Sequence, residues 1–174
     1  MIAEPFLSDP NFERSVVFVC EHNERGTFGL VFNQSTNLFL NDVLQEPVAN
    51  SLPLYLGGPV EQNTLHFLHR LPFIEDSIPV GDDLYWSGDF EQIVSMLNVS
   101  KITEQDIRFF IGYSGWSAGQ LDEEMRRDAW LVEPATLDLI FLEPAEGLWH
   151  HILRGRADWR ERLLAEAPED PSLN

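Results

Sequence analysis

The only thiol in the 174 residues, Cys20, stands in the run Cys20-Glu21-His22-Asn23. A cysteine with an imidazole two residues on is the pattern of a redox or nucleophilic centre. Such chemistry needs the thiolate, which a nearby cation or a helix N-terminus stabilises. On an extended strand His22 shares a face with Cys20, whereas the Glu21 carboxylate opposes thiolate formation. The plainer role, a small buried hydrophobe at a strand end, is favoured.

A second candidate is Gly112-Tyr-Ser-Gly-Trp-Ser-Ala-Gly-Gln120. Read as a glycine-rich turn from strand to helix, it presents backbone N–H groups to an anion. It lacks the Gly-x-Gly-x-x-Gly order and the Walker lysine of nucleotide sites. It also misses the Gly-x-Ser-x-Gly nucleophile elbow, because two residues after Ser114 comes Trp116. The structural alternative is a tight turn in which Trp116 plugs the core and Ser117 caps a helix. Gly57-Gly58-Pro59 adds another rigid turn. Cys20, His22, Asn23, Gly57, Gly58, Gly112, Gly115, Trp116, Gly119 and Gln120 together form the expected pocket.

Metal chemistry finds little support. His66 and His69 lie three apart in a strand-like run and point oppositely, and His150 and His151 diverge on a helix. Asp82-Asp83 and Asp122-Glu123-Glu124 lack calcium-loop spacing and read as solvated acidic faces. No metal, cofactor or catalytic residue is nominated.

These residues need elements to hold them. Ser15–Cys20 and Thr27–Phe32 predict a hairpin around the polar loop 21–26, with Gly29 marking a bulge or close backbone approach. Leu40, Val43 and Leu44 predict a short helix closed by Pro47. Further strands are expected at Leu52–Leu56, Thr64–His69, around Ile78–Trp86, at Ile107–Ile111 and at Ala129–Val132. Phe90, Ile93, Val94 and Leu97 mark a helix that Asp89 caps, with Gln92 completing a capping box. A second box, Ser117 with Gln120, opens a helix through Met125. Pro134 suits the first turn of a short helix, and Leu148, Trp149, Ile152 and Leu153 give a late one. Strands grouped early and helices late predict an α+β class: one compact domain with a mixed or antiparallel β-sheet core and packed helices.

Charge narrows the partners. Twenty-nine acidic residues against eleven basic ones give −18, which opposes phosphate backbones and anionic lipid surfaces. Arg154, Arg156, Arg160 and Arg162 are interleaved with acids, a solvated helix and not a nucleic-acid patch. No apolar run approaches the roughly 18 residues of a membrane span. With no signal-peptide pattern at Met1–Pro5 and a single cysteine, a cytoplasmic location is expected.

Five segments then act together: Asp9-Pro-Asn-Phe-Glu-Arg-Ser-Val16, Cys20-Glu-His-Asn23, Gly26-Thr-Phe-Gly-Leu-Val-Phe-Asn33, Gly57-Gly-Pro-Val60, and Gly112 to Leu121 with Glu124 and Ala129-Trp-Leu131. In this order the chain resembles the YqgE/AlgH family. The resemblance implies a compact α+β bacterial cytoplasmic protein and no established activity; some members carry a transcriptional-regulator label without a DNA-binding motif. It covers residues 1–155. After Leu153 the family's Gly- and Ala-rich tail gives way to Arg156-Ala-Asp-Trp-Arg-Glu-Arg-Leu-Leu164, so residues 156–174 are read as an atypical C-terminal helix with a frayed tail.

The expected function is a non-catalytic binding or regulatory domain for an unidentified protein or small-molecule partner. The alternatives are a thiol-based redox sensor or enzyme centred on Cys20, and a transcriptional regulator acting indirectly or through DNA.

Overall fold

Strand β9, Ile107–Ser117, is the axis of the sheet. The computed structural model describes residues 1–156, so the expected helix and tail beyond Arg156 lie outside the described residues. Before β9 come β1 (Ile2–Ala3), β2 (Val17–Asn23), β3 (Gly26–Val31), β4 (Ser35–Phe39), a 3-10 turn at Leu40–Asp42, β5 (Pro53–Leu56), β6 (Val60–His69), β7 (Ile78–Gly81), β8 (Leu84–Trp86) and helix α1 (Phe90–Asn98). After it come α2 (Gln120–Arg126), β10 (Trp130–Leu131), α3 (Leu137–Phe141) and α4 (Leu148–Gly155).

The first half of β9 lies between β5, which runs parallel to it, and β6, which runs antiparallel. Its second half pairs with β3, which pairs in turn with β2. The β7–β8 hairpin extends the sheet beyond β6. The sheet is therefore mixed and mostly antiparallel, with helices packed on it: the α+β class expected from the sequence.

Phe109 and Phe110 are both fully buried, because alternate β9 side chains enter different cores. Phe109 and Ile107 pack with Leu54, Phe67 and the Ile93 and Leu97 face of α1. Phe110 packs with Leu30, Phe32 and Leu68 against Phe141, Trp149 and Leu153 of α3 and α4. A third cluster joins Val17, Val31, Trp116, Leu121 and Trp130. Asp89 caps α1 as expected, accepting from the N–H groups of Glu91 at 2.8 Å and Gln92 at 3.2 Å. The second half of that capping box goes elsewhere, since Gln92 Oε1 accepts from Glu75 N–H at 3.3 Å and ties down the loop before β7.

Several local expectations change. The 21–26 loop is largely strand, and only Glu24 and Arg25 separate β2 from β3. The helix expected over residues 40–44 is one 3-10 turn, and β4 forms before it on exposed residues that carry no strand pattern. Pro134 lies before α3, which Thr136 caps instead by accepting from Leu139 N–H. Gly29 does mark a close approach: a Cβ there would sit 2.8 Å from the Phe18 carbonyl oxygen.

Candidate functional site

The expected glycine-rich turn at 112–120 is a strand through Ser117. Residues Ser114 to Ser117 form register pairs with β3, so this stretch is not an open anion nest. Helix α2 starts only at Gln120, behind Gly119 with φ +72°. Ser117 does not cap that helix. Its N–H and hydroxyl both donate to Gln120 Oε1, at 3.1 and 3.2 Å.

Gly57, Gly58 and Gly112 serve a crossing. The chain leaves β5 on one side of β9 and reaches β6 on the other through residues 57–59 alone. A Cβ on Gly57 would lie 2.3 Å from the Gly112 carbonyl oxygen, and one on Gly58 would lie 2.3 Å from that of Tyr113. Gly112 itself has φ +67° with the Val60 carbonyl oxygen 2.8 Å from its missing Cβ. Backbone meets backbone here, a demand only glycine meets. The Ser114 hydroxyl ties the crossing down by donating to the Gly57 carbonyl at 3.0 Å.

Beside this crossing the sheet carries a shallow, wide-open hollow of about 520 Å³ over β3 and β9. Phe28, Tyr113 and Val60 supply its apolar wall, Gly26, Thr27, Gly115 and Trp116 complete it, and Glu21, Asn23 and Arg25 form a polar rim. Gly115 leaves room for the Tyr113 ring: a Cβ there would lie 3.2 Å from that ring. Phe28 and Tyr113 stack with centroids 4.9 Å apart. Trp86 stands 4.6 Å from Phe28, and His66 lies edge-on to both Phe28 and Tyr113. The Trp86 indole N–H is buried without a hydrogen-bond partner. On the rim, Glu21 is the cross-strand partner of Phe28. Asn23 donates to Glu21 Oε1 at 2.5 Å and accepts the Arg25 backbone N–H at 2.8 Å, which sets Arg25 at the turn.

Of the residues expected to form a pocket, Asn23, Gly115 and Trp116 line this hollow, whereas Cys20, His22, Gly57, Gly58, Gly112, Gly119 and Gln120 do not. Sequence reasoning missed Phe28, Tyr113, Glu21 and Arg25. The signal was available: once residues 112–117 are read as strand, period-two alternation puts Tyr113 and Gly115 on one face.

Trp116 is buried, and its indole N–H donates to Glu124 Oε2 at 2.9 Å. Trp130 donates to the same oxygen at 2.8 Å, while Gln120 Nε2 holds Glu124 Oε1 at 3.0 Å. Phe12 stacks on Trp116 and meets Trp130 edge-on. This cluster fixes the end of β9 that borders the hollow.

Cys20 and His22 part company. The β2–β3 register shifts between Val19 and Glu21, and this bulge at Cys20 breaks the alternation that would have put thiol and imidazole on one face. Cys20 packs against the Phe18 and Phe110 cluster, where burial pushes its thiol well above the ordinary value. His22 instead places Nδ1 2.6 Å from the Thr27 hydroxyl, with Nε2 3.7 Å from Asp122 Oδ1. The imidazole is thus bonded within the hairpin and stands near, without hydrogen-bonding, the Asp122 carboxylate of α2. Thr27 is buried, and strand alternation turns it away from the face carrying Phe28.

His66 and His69 diverge as strand residues do. His69 is fully buried: Nδ1 accepts from Leu71 N–H at 3.2 Å, so Nε2 carries the proton and donates to the Ser87 carbonyl at 2.8 Å. No cluster of three or more His, Cys, Asp or Glu among the described residues is placed to hold a metal ion. No helix among them is long and apolar enough to cross a membrane.

A family model described as AlgH-like matches residues 1–157. The chain belongs to the AlgH-like family. Its AlgH-like relatives include a UPF0301 protein of Cytophaga hutchinsonii, 41% identical, with the match covering 100% of this chain and 96% of the relative. A UPF0301 protein of Chlorobium limicola is 36% identical, over 100% and 93%. Among solved structures, the AlgH protein of Pseudomonas aeruginosa superposes with a TM-score of 0.75 at 30% identity, covering 97% of this chain and 93% of that one. A Corynebacterium diphtheriae protein shares the fold, with a TM-score of 0.75 at 22% identity, covering 95% and 89%. The AlgH-like assignment agrees with the resemblance read from the five sequence segments.

Proposed function

We propose that this AlgH-like protein is a non-catalytic binding or regulatory domain of the cytoplasm, and that its binding face is the hollow over β3 and β9. The observation that carries the reading is the wall itself. Phe28 and Tyr113 offer ring surface and Glu21, Asn23 and Arg25 offer polar groups around a shallow hollow that Gly26 and Gly115 also line, the pattern of apolar wall and few polar groups found in ligand sites. A thiol-centred enzyme is less well supported, because Cys20 lies outside the hollow, burial raises its pKa, and His22 is bonded to Thr27. Direct DNA binding is opposed by the net charge of −18.

The test is a thermal-shift screen of small organic ligands on the wild type and on Gly115→Val. Gly115 is exposed in a strand, where valine is a favoured residue, and the new side chain presses on the Tyr113 ring and covers the wall; a melting temperature of the free variant equal to that of the wild type shows that it folds. Ligands that stabilise the wild type and lose their effect on Gly115→Val support the reading. A screen whose hits are all indifferent to Gly115→Val, or that returns none, counts against it.

A further inference from the structure

We infer that the hollow takes a planar aromatic ring bearing a single negative charge, such as an aromatic carboxylate; this rests on the binding reading above and names its ligand class. Three observations point there. First, the wall is part of an aromatic cluster: Phe28 and Tyr113 stack at 29°, Trp86 packs on Phe28, and His66 meets both Phe28 and Tyr113 edge-on. Ring faces and edges of this kind favour another flat ring, because offset stacking adds to simple area burial. His66 stays neutral in this setting, since burial lowers its pKa, so it adds ring surface to the cluster and not a cation.

Second, Arg25 is exposed on the rim and forms no ion pair or side-chain hydrogen bond among the described residues, although acids outnumber bases twenty-nine to eleven. Its backbone is nonetheless fixed by Asn23. An exposed guanidinium carried on this turn at the edge of the aromatic wall can swing to grip a carboxylate with a two-pronged hydrogen bond. Third, Glu21 sits on the same rim with one oxygen occupied by Asn23. Its charge and the overall −18 admit one negative charge beside Arg25 and resist two.

The competing class is an organic cation, which the acidic surface and the ring faces also attract. Calorimetric titration with three probes separates them: 2-naphthoate, 2-naphthylmethylammonium and cyclohexanecarboxylate, each located by amide shift changes in the labelled protein. The expected result is that 2-naphthoate binds at the hollow at least about tenfold more tightly than either other probe, and that Arg25→Gln weakens it about tenfold. Unchanged melting of Arg25→Gln shows that the loss is not unfolding. Tighter hollow binding by the ammonium overturns the charge assignment and leaves the binding reading standing. Equal binding by cyclohexanecarboxylate overturns the aromatic assignment, as does 2-naphthoate affinity unaltered by Arg25→Gln for the anion contact. If no probe binds, the inference falls; the binding reading falls only if the thermal-shift screen also yields no hit sensitive to Gly115→Val.

Discussion

Trp116 and Trp130 donate their indole N–H groups to one oxygen of Glu124, at 2.9 and 2.8 Å. A helix residue thus holds together the end of the central strand and the short strand β10. Glu124→Ala strands two indole donors in a packed cluster and is expected to cost about 2–3 kcal/mol. Glu124→Gln keeps an acceptor and costs less. Urea midpoints of the two variants check this, and equal losses would show that Glu124 acts only by filling space.

Gly58→Ala is expected to prevent folding or cost more than about 3 kcal/mol, because the new Cβ meets the Tyr113 carbonyl oxygen at 2.3 Å in a backbone that cannot yield. Gly119→Ala has nothing within 4 Å and pays only for its left-handed φ of +72°, about 1–2 kcal/mol. Denaturant melts of both variants compare the two positions, and similar losses would remove the crossing as the reason for Gly58.

Stability should fall as pH drops below the ordinary imidazole value of 6.5. Burial lowers the folded-state pKa of His69, first by desolvation, and the Leu71 N–H against Nδ1 leaves no place for a second proton. The unfolded chain therefore binds that proton more readily between the folded value and 6.5. Stability is complete above 6.5 and is lost as pH falls through the lowered value. His66 shifts in the same direction, also by desolvation. Melting from pH 7.5 to 5 should show this slope, and His69→Gln should flatten part of it while lowering the plateau.

Cys20 should alkylate with iodoacetamide at least about a hundredfold more slowly in the folded protein than as a free thiol, because burial raises its pKa and little thiolate forms. Rapid labelling of the folded protein would restore the thiol-centred alternative.

The class of fold and the central elements were legible because their signals are local. Phe90, Ile93 and Leu97 repeat at helical spacing, and Ser15–Cys20 and Thr27–Phe32 are two apolar strand runs around a polar loop. The glycine-rich stretch misled because glycine signals permissive backbone in a turn and in a crossed strand alike. Only the pairing of Ser114–Ser117 with β3 and the passage of Gly57 and Gly58 over Gly112 decide between them. The separation of Cys20 from His22 was equally hidden, since one bulge at Cys20 resets the alternation of everything after it. Arg25 carried no motif at all; the two-residue hairpin turn gives it its position.

The most direct test of the hollow as the binding face is amide shift mapping of the labelled protein with the strongest ligand from the thermal-shift screen. The account predicts changes concentrated at Glu21–Phe28, at Val60 and at Tyr113–Trp116, and their loss in Gly115→Val. Changes clustered elsewhere, or unaltered by that substitution, would contradict it.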